Sequence, residues 1–167
     1  RTPLHAIFGY AELIGDLFED LTPDEIKNYL ENIKSSGKRL LALLNDLLDL
    51  SKLEAGKMSY SIVENKLPVI VEQVMSELTP LYLAKSLKII HHPIEKSSLY
   101  CDEQRISQVV RNLLSNAIKF TPEGQSIYIE YKQTTCMISG EEKPALSCFV
   151  IDEGVGIPPS ELDAVFD

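Results

Sequence analysis

The 167-residue chain is poor in three things. Cationic side chains are outnumbered, with 16 Lys and Arg against 25 Asp and Glu and a formal net charge of −9. A surface of that sign cannot neutralise the phosphates of a duplex, so no nucleic acid is expected as a partner. Cysteine is scarce: Cys101, Cys136 and Cys148 are odd in number and lack metal-ligand spacing. That argues against a disulfide framework and for a reducing, cytoplasmic compartment. Long apolar runs are missing too, since no stretch reaches the ~18 consecutive apolar residues of a membrane span and no signal peptide is visible. Any membrane attachment is therefore expected only through segments upstream of Arg1. No internal repeat or low-complexity tract appears. What remains, 44% hydrophobic and 25% charged residues, is ordinary globular composition with length for one or two domains.

The first third reads as helix. Leu4, Ile7, Ala11, Ile14 and Phe18 recur at spacings of three and four. Thr22-Pro23-Asp24-Glu25 then predicts a helix start, with Thr22 as N-cap, Pro23 in the first turn and Glu25 completing a capping box. From Ile26 through Leu30, Ile33, Gly37, Leu40, Leu44, Leu47 and Ser51 the spacing alternates between four and three, a heptad seam widened by Leu41 and Leu48. Gly56 is the expected stop, with Lys52 and Lys57 suited to the negative helix end. A hairpin this long leaves more apolar surface than one neighbour covers, and two copies packed as a four-helix bundle would cover it.

The remainder reads as α/β. Met58 to Asn65 is a candidate strand, Leu67 to Lys85 a helix with Pro68 in its first turn, and Leu87 to Ile90 a short strand. Ile127, Ile129 and Tyr131 alternate with Tyr128 and Glu130 as in a half-buried strand. Thr134 to Ala145 is expected to be a hairpin loop before an apolar strand at Leu146. His91-His92-Pro93 is no metal pair, because adjacent histidines on an extended chain face opposite ways. Tyr128 and Tyr131 read as sheet surface.

Two segments carry chemistry. Wound as a helix, Asp102 to Thr121 puts Arg105, Gln108, Asn112, Asn116 and Lys119 within an arc of about 80°. Ile106, Val110, Leu113, Leu114 and Ala117 fall on the other side, where a sheet would cover them. Two amide oxygens one turn apart beside a cation suit a magnesium ion that carries phosphates, since Mg²⁺ takes oxygen ligands and keeps positions for phosphate and water. Some thirty residues later, the apolar run at Leu146 to Val150 ends in Ile151-Asp152-Glu153-Gly154-Val155-Gly156. Asp152 at a strand end can accept a hydrogen bond from an exocyclic amine, and Gly154 and Gly156 let backbone approach a flat ligand.

Together these segments resemble the N box and first glycine box of the sensor histidine kinase ATP-binding domain. Arg1-Thr2-Pro3-Leu4-His5-Ala6-Ile7 resembles the family's H-E-x-R-T-P-L-x-x-I segment, and Leu47 to Met58 resembles the end of the second helix of its dimerisation domain. Leu162 to Asp167 resembles the start of the F box. These motifs thus span nearly the whole chain in the family's order.

The resemblance implies a long helical hairpin forming a dimeric four-helix bundle (residues 1–57), followed by an α/β sandwich ATP-binding domain with a mixed sheet (residues 58–167). It implies ATP and Mg²⁺ as cofactors, with Asn116 and Asn112 on the metal, Lys119 on phosphate, Asp152 on the adenine amine, and Gly154 and Gly156 admitting the ring. Lys119 read alone is equally a solvated lysine; Arg105 and Gln108 are expected to hydrogen-bond neighbouring backbone, and Phe120 to join the core, stacking near the base being its alternative. An amide at Asn112 cannot act as a general base, unlike the Glu that related gyrase, mismatch-repair and chaperone ATPases place there, so ATP should be held rather than hydrolysed. The family pattern places the phosphoacceptor histidine three residues before Arg1, and His5 is not that residue. Thr2 then falls where the family orients water for dephosphorylation, unless it is an ordinary first-turn threonine. The implied partners are a second copy of the chain and a response-regulator receiver domain. The chain as it stands, without acceptor, lid or second glycine box, is expected to be inactive. The alternative is a non-catalytic dimeric interaction module with a degenerate ATP-binding domain.

Overall fold

The computed structural model describes residues 2–162 apart from 96 and 139, without the side chains of Thr2 and Asp46. Contacts divide the chain into two compact units, Arg1–Ser59 and Tyr60–Asp167.

The first unit is a helical hairpin of α1 (Thr2–Leu17) and α2 (Pro23–Glu54). The start of α2 follows from its local chemistry. Thr22 Oγ1 accepts the Glu25 N–H at 3.3 Å, and Glu25 Oε2 accepts the Thr22 N–H at 2.9 Å, completing the capping box. Those bonds from Thr22 hold the Glu25 carboxyl below its ordinary range. At the other end Gly56 adopts a left-handed φ of +62°, and the Lys57 N–H reaches back to the Lys52 carbonyl at 2.9 Å. The Tyr10 and Tyr29 rings stack at 5.5 Å between centroids, tying α1 to α2. Among the described residues no hairpin side chain is fully buried, and Leu41, Leu44 and Leu47 of the seam are more than half exposed.

In the second unit two helices, α3 (Leu67–Ala84) and α4 (Glu103–Phe120), supply most of the core. The strands are β1 (Val63–Lys66), β2 (Lys88–His91), β3 (Ser98–Cys101), β4 (Ser126–Ile138) and β5 (Glu141–Asp152). β1 pairs antiparallel with β3, while a mixed sheet runs β2-β4-β5, parallel across β2/β4 and antiparallel across β4/β5. Val71 and Val74 of α3, Leu114 of α4, and Ile127 and Ile129 of β4 lose essentially all solvent contact. Burial of such side chains stabilises the unit by roughly 1.5–3 kcal/mol each. A polar group sits at the margin of this core: His91 Nε2 lies 2.8 Å from Tyr131 Oη, and His91 Nδ1 lies 3.6 Å from Glu72. Burial lowers the His91 pKa and raises that of Tyr131.

Four details differ from the sequence reading. The Thr134–Ala145 segment is not a loop: β4 and β5 continue as a paired ladder to Ile138 and Glu141, turning at Gly140 with φ +83°. The ladder tolerates Pro144 because β5 is an edge strand. The strand expected over Met58–Asn65 is confined to Val63–Lys66, because its partner β3 is only four residues long. That partner was not foreseen. Finally, Tyr131 is half-buried against the core instead of lying on the sheet surface.

Candidate functional site

Asp102 starts α4, its Oδ1 accepting the Arg105 N–H at 3.1 Å while Oδ2 accepts the Ser61 N–H at 2.8 Å. These two bonds, Ser61 first, hold the Asp102 carboxyl low. From this start the helix buries Val110, Leu114, Ala117 and Ile118, and so must turn Asn112, Asn116 and Lys119 outward, where all three are exposed. The Asn112 and Asn116 amides accept and donate no hydrogen bond among the described residues. Arg105 and Gln108, on the same arc, bond each other at 3.1 Å.

Beside the amide face runs an apolar strip that the sequence reading assigned to the interior. Leu113 is 45% exposed and Phe120 50% exposed, with Val109 next to them at 53%. Helical geometry gives the reason: Leu113 lies about 80° from the centre of the buried arc, at its rim. The Lys119 ammonium rests 4.7 Å from the centre of the Phe120 ring.

The glycine turn meets this helix at its C-terminal end. Asp152 closes β5, and its Oδ1 accepts the Gly154 N–H at 2.8 Å. Gly154 lies so near the end of α4 that a Cβ there would overlap Asp152 Oδ1 and approach the Phe120 carbonyl oxygen to 3.0 Å. A side chain at this position would push the Asp152 carboxylate aside and crowd the Phe120 carbonyl. Gly156 is glycine for another reason, a left-handed φ of +71° in open space. Glu153 accepts the Ser126 N–H at 3.0 Å and so ties the turn to the start of β4. Val155 and Ile157 are exposed. Two segments thirty residues apart in sequence thus meet at the Phe120 backbone, the carboxylate-bearing turn lying at the end of the helix that carries the amides and the cation.

Neutral amide oxygens without a surrounding carboxylate cluster suit a cation that arrives with phosphates better than a bare ion held by protein alone. No group of three or more His, Cys, Asp or Glu among the described residues is placed to hold a metal. A polar cavity of about 650 Å³ opens elsewhere, beside the first half of α4, lined by Ser61, Glu77, Asp102, Ser107 and Arg111 among others. None of Asn112, Asn116, Lys119 or Asp152 lines it, and its Arg111 is already held by Glu77 at 2.7 and 3.1 Å. The cavity and the amide-bearing face are thus separate places on the unit. The Thr2 side chain and most of the segment resembling the F box, residues 163–167, lie outside the described residues.

Residues 1–56 match the family model of the His Kinase A (phospho-acceptor) domain. Residues 101–167 match that of the histidine kinase-, DNA gyrase B- and HSP90-like ATPases. The chain is thus a phosphoacceptor-type hairpin joined to an ATPase-type α/β unit. It is 36% identical over 163 residues to the non-motile and phage-resistance protein of Caulobacter vibrioides, covering 97% of this chain and 19% of that protein. It is also 36% identical over 171 residues to the autoinducer 2 sensor kinase/phosphatase LuxQ of Vibrio cholerae, covering 100% of this chain and 19% of that protein. Among solved structures, ShkA in complex with AMPPNP superposes with a TM-score of 0.66 at 26% identity, over 100% of this chain and 34% of that one. The ThkA histidine kinase, solved with response regulator protein TrrA, shares the fold with a TM-score of 0.68 at 22% identity, over 99% of this chain and 46% of that one. The chain belongs to the sensor histidine kinases and spans about a fifth of the length of these two curated relatives. No described helix is long and apolar enough to cross a membrane.

Proposed function

We propose that this chain is the kinase core through which the γ-phosphoryl of Mg·ATP passes to a histidine and then to a response-regulator aspartate. In this reading residues 1–57 are the dimerisation domain and residues 58–167 the ATP-binding domain. The observation that carries it is the approach of Gly154 to the Phe120 carbonyl, which brings the Asp152 turn to the C-terminal end of the helix that bears the amides. Asn116 and Asn112 hold Mg²⁺ through their amide oxygens, and Lys119 neutralises phosphate. Its contact with Phe120, worth only about 0.5–1 kcal/mol at an exposed site, is easily given up for that purpose. Asp152 accepts from the adenine amino group while keeping its bond to Gly154, and Gly154 and Gly156 admit the ring. Bound Mg²⁺ would neutralise charge developing on the β- and γ-phosphates. Asn112 supplies no general base for water, so the nucleotide is kept for a protein nucleophile.

The acceptor histidine belongs three residues ahead of Arg1 by the family pattern, and Thr2 would orient water in the reverse, dephosphorylating reaction. The exposed seam at Leu41, Leu44 and Leu47 supports a homodimer. The likeness to ThkA, solved with a response regulator, supports a receiver domain as second partner. A cytoplasmic location is expected for this core. Titration of the chain with Mg·ATP tests the reading. Asn116→Ala should abolish binding, and Asp152→Asn should weaken it by about 1–3 kcal/mol, the cost of a mismatched polar group. GTP bound as tightly as ATP would contradict the role given to Asp152.

A further inference from the structure

We infer that Lys85 is a positioning residue for the nucleotide site, an inference that rests on the reading just given. Lys85 is the first residue beyond α3, and read alone it would cap that helix. Its ammonium goes elsewhere. Nζ donates to the carbonyls of Ile118 at 2.8 Å, Lys119 at 3.1 Å and Thr121 at 2.6 Å. An ammonium has three protons, and this one spends all three on the end of α4. Carbonyls there have no partner within their own helix and carry its negative pole, so a cation satisfies both needs at once. No carboxylate pairs with Lys85 among the described residues.

The backbone of Lys85 holds the same turn. Its carbonyl accepts the Gly124 N–H at 3.1 Å, and the Lys88 N–H reaches the Gln125 carbonyl at 3.0 Å. Between these bonds the chain reverses at Ser86, whose φ of +53° is left-handed. Side chain and main chain of one residue therefore clasp the α4–β4 turn from both ends. Thr121, fully buried, closes the clasp by donating from Oγ1 to the Ala117 carbonyl at 2.6 Å.

The clasp lies next to the atoms that matter. The Phe120 carbonyl, against which Gly154 packs, sits between two carbonyls that Lys85 binds, those of Lys119 and Thr121. Pro122 stops α4 after Phe120, and Lys85 holds the carbonyls left at that end, and with them the position of Lys119, Phe120 and the Asp152 turn. Without the ammonium the last helical turn is free to fray, and Gly154 loses the fixed carbonyl it rests on. The core side chains Val71, Leu114 and Ile127 keep their packing, so the effect should fall on ligand affinity more than on bulk stability.

The experiment pairs two substitutions with one measurement on the unaltered chain. Lys85→Met, which keeps length and removes the donors, should weaken Mg·ATP about tenfold or more, the scale of one charge-assisted hydrogen bond. Its melting temperature should fall with the lost bonds, but by less than the affinity loss corresponds to, and Lys85→Arg should recover most of both. Lys85→Met binding Mg·ATP as tightly as the unaltered chain would overturn the inference. So would an affinity lost only in proportion to stability. If Lys85→Met does not fold, the unaltered chain decides: amine labelling read lysine by lysine should be slow at Lys85 and fast at exposed Lys88. Saturating Mg·ATP should slow Lys85 further, because coupling between two sites is reciprocal. Labelling of Lys85 that ignores Mg·ATP would overturn the inference. An unaltered chain that binds no Mg·ATP removes the nucleotide reading itself, a distinct outcome that the slow labelling of Lys85 without ligand would not repair.

Discussion

Replacing Gly154 by alanine puts a methyl group into space that two neighbours already fill. The new Cβ would overlap Asp152 Oδ1 and stand 3.0 Å from the Phe120 carbonyl oxygen and 3.3 Å from its carbon. The carboxylate can rotate aside, at the cost of the 2.8 Å bond it accepts from the Gly154 N–H. The Phe120 carbonyl cannot move as cheaply, since it is backbone and its neighbours are bound to Lys85. Overpacking of this kind costs about 1–3 kcal/mol, and an exposed hydrogen bond adds about 0.5 kcal/mol, the low end of its range. A loss near 2 kcal/mol should lower the melting temperature of a unit of this size by about 8–16 °C. Thermal unfolding followed through the amide resonances of β4 reports on this unit alone. Gly156→Ala is the control: its φ is +71° but its surroundings are open, so only the left-handed backbone costs it, about 1 kcal/mol. The reasoning fails if Gly154→Ala melts with the unaltered chain, or if Gly156→Ala proves the more damaging of the two.

Leu44→Glu should break the dimer by several kcal/mol, because it places an unpaired charge in the seam; a stable monomer of the unaltered hairpin at micromolar concentration in sedimentation would refute the seam. Leu114→Ala, at a site with no solvent contact, should cost about 2–5 kcal/mol in denaturant unfolding. Burial lowers the His91 pKa from the ordinary 6.5, so the folded chain holds this proton less tightly than the unfolded chain. His91 therefore supports stability above 6.5, and that support is lost as pH falls from there through the lowered folded value. His91→Phe should flatten this slope in pH-dependent melting, and an unchanged slope would place its origin elsewhere.

Much of the fold was legible because its signals are local. The capping box at Thr22 and Glu25 needs four residues, and the seam beyond it needs only period. Leu67–Ala84 and Glu103–Phe120 likewise show their helices through periodicity and end signals. Legibility ended where structure depends on distant partners. The strand Ser98–Cys101 is four residues long and exists through pairing with Val63–Lys66, more than thirty residues earlier. The outer halves of β4 and β5 look polar and turn-like, and are strands because each supplies the other's ladder. In the candidate site the amide face and the glycine turn were readable as residue patterns, but only the family resemblance implied their juxtaposition. It runs through the Phe120 carbonyl, a backbone atom with no sequence signature. Lys85 was invisible for the same reason, since the carbonyls it binds lie 33 to 36 residues further on. Leu113 and Phe120 were misplaced because a two-sided division of a helix hides its rim, where exposure is decided by how far the neighbouring element reaches.

We propose one adenine-nucleotide site made by the outer face of α4 and the Asp152 turn. Backbone amide NMR of the chain titrated with Mg·ATP tests it most directly, because it locates the ligand without presuming activity. The account predicts saturable shifts concentrated at residues 112–121 and 152–157, absent in Asn116→Ala and much reduced with Mg·GTP. Shifts centred instead on the cavity at Ser61, Asp102 and Arg111, or no saturable shifts at all, would contradict it.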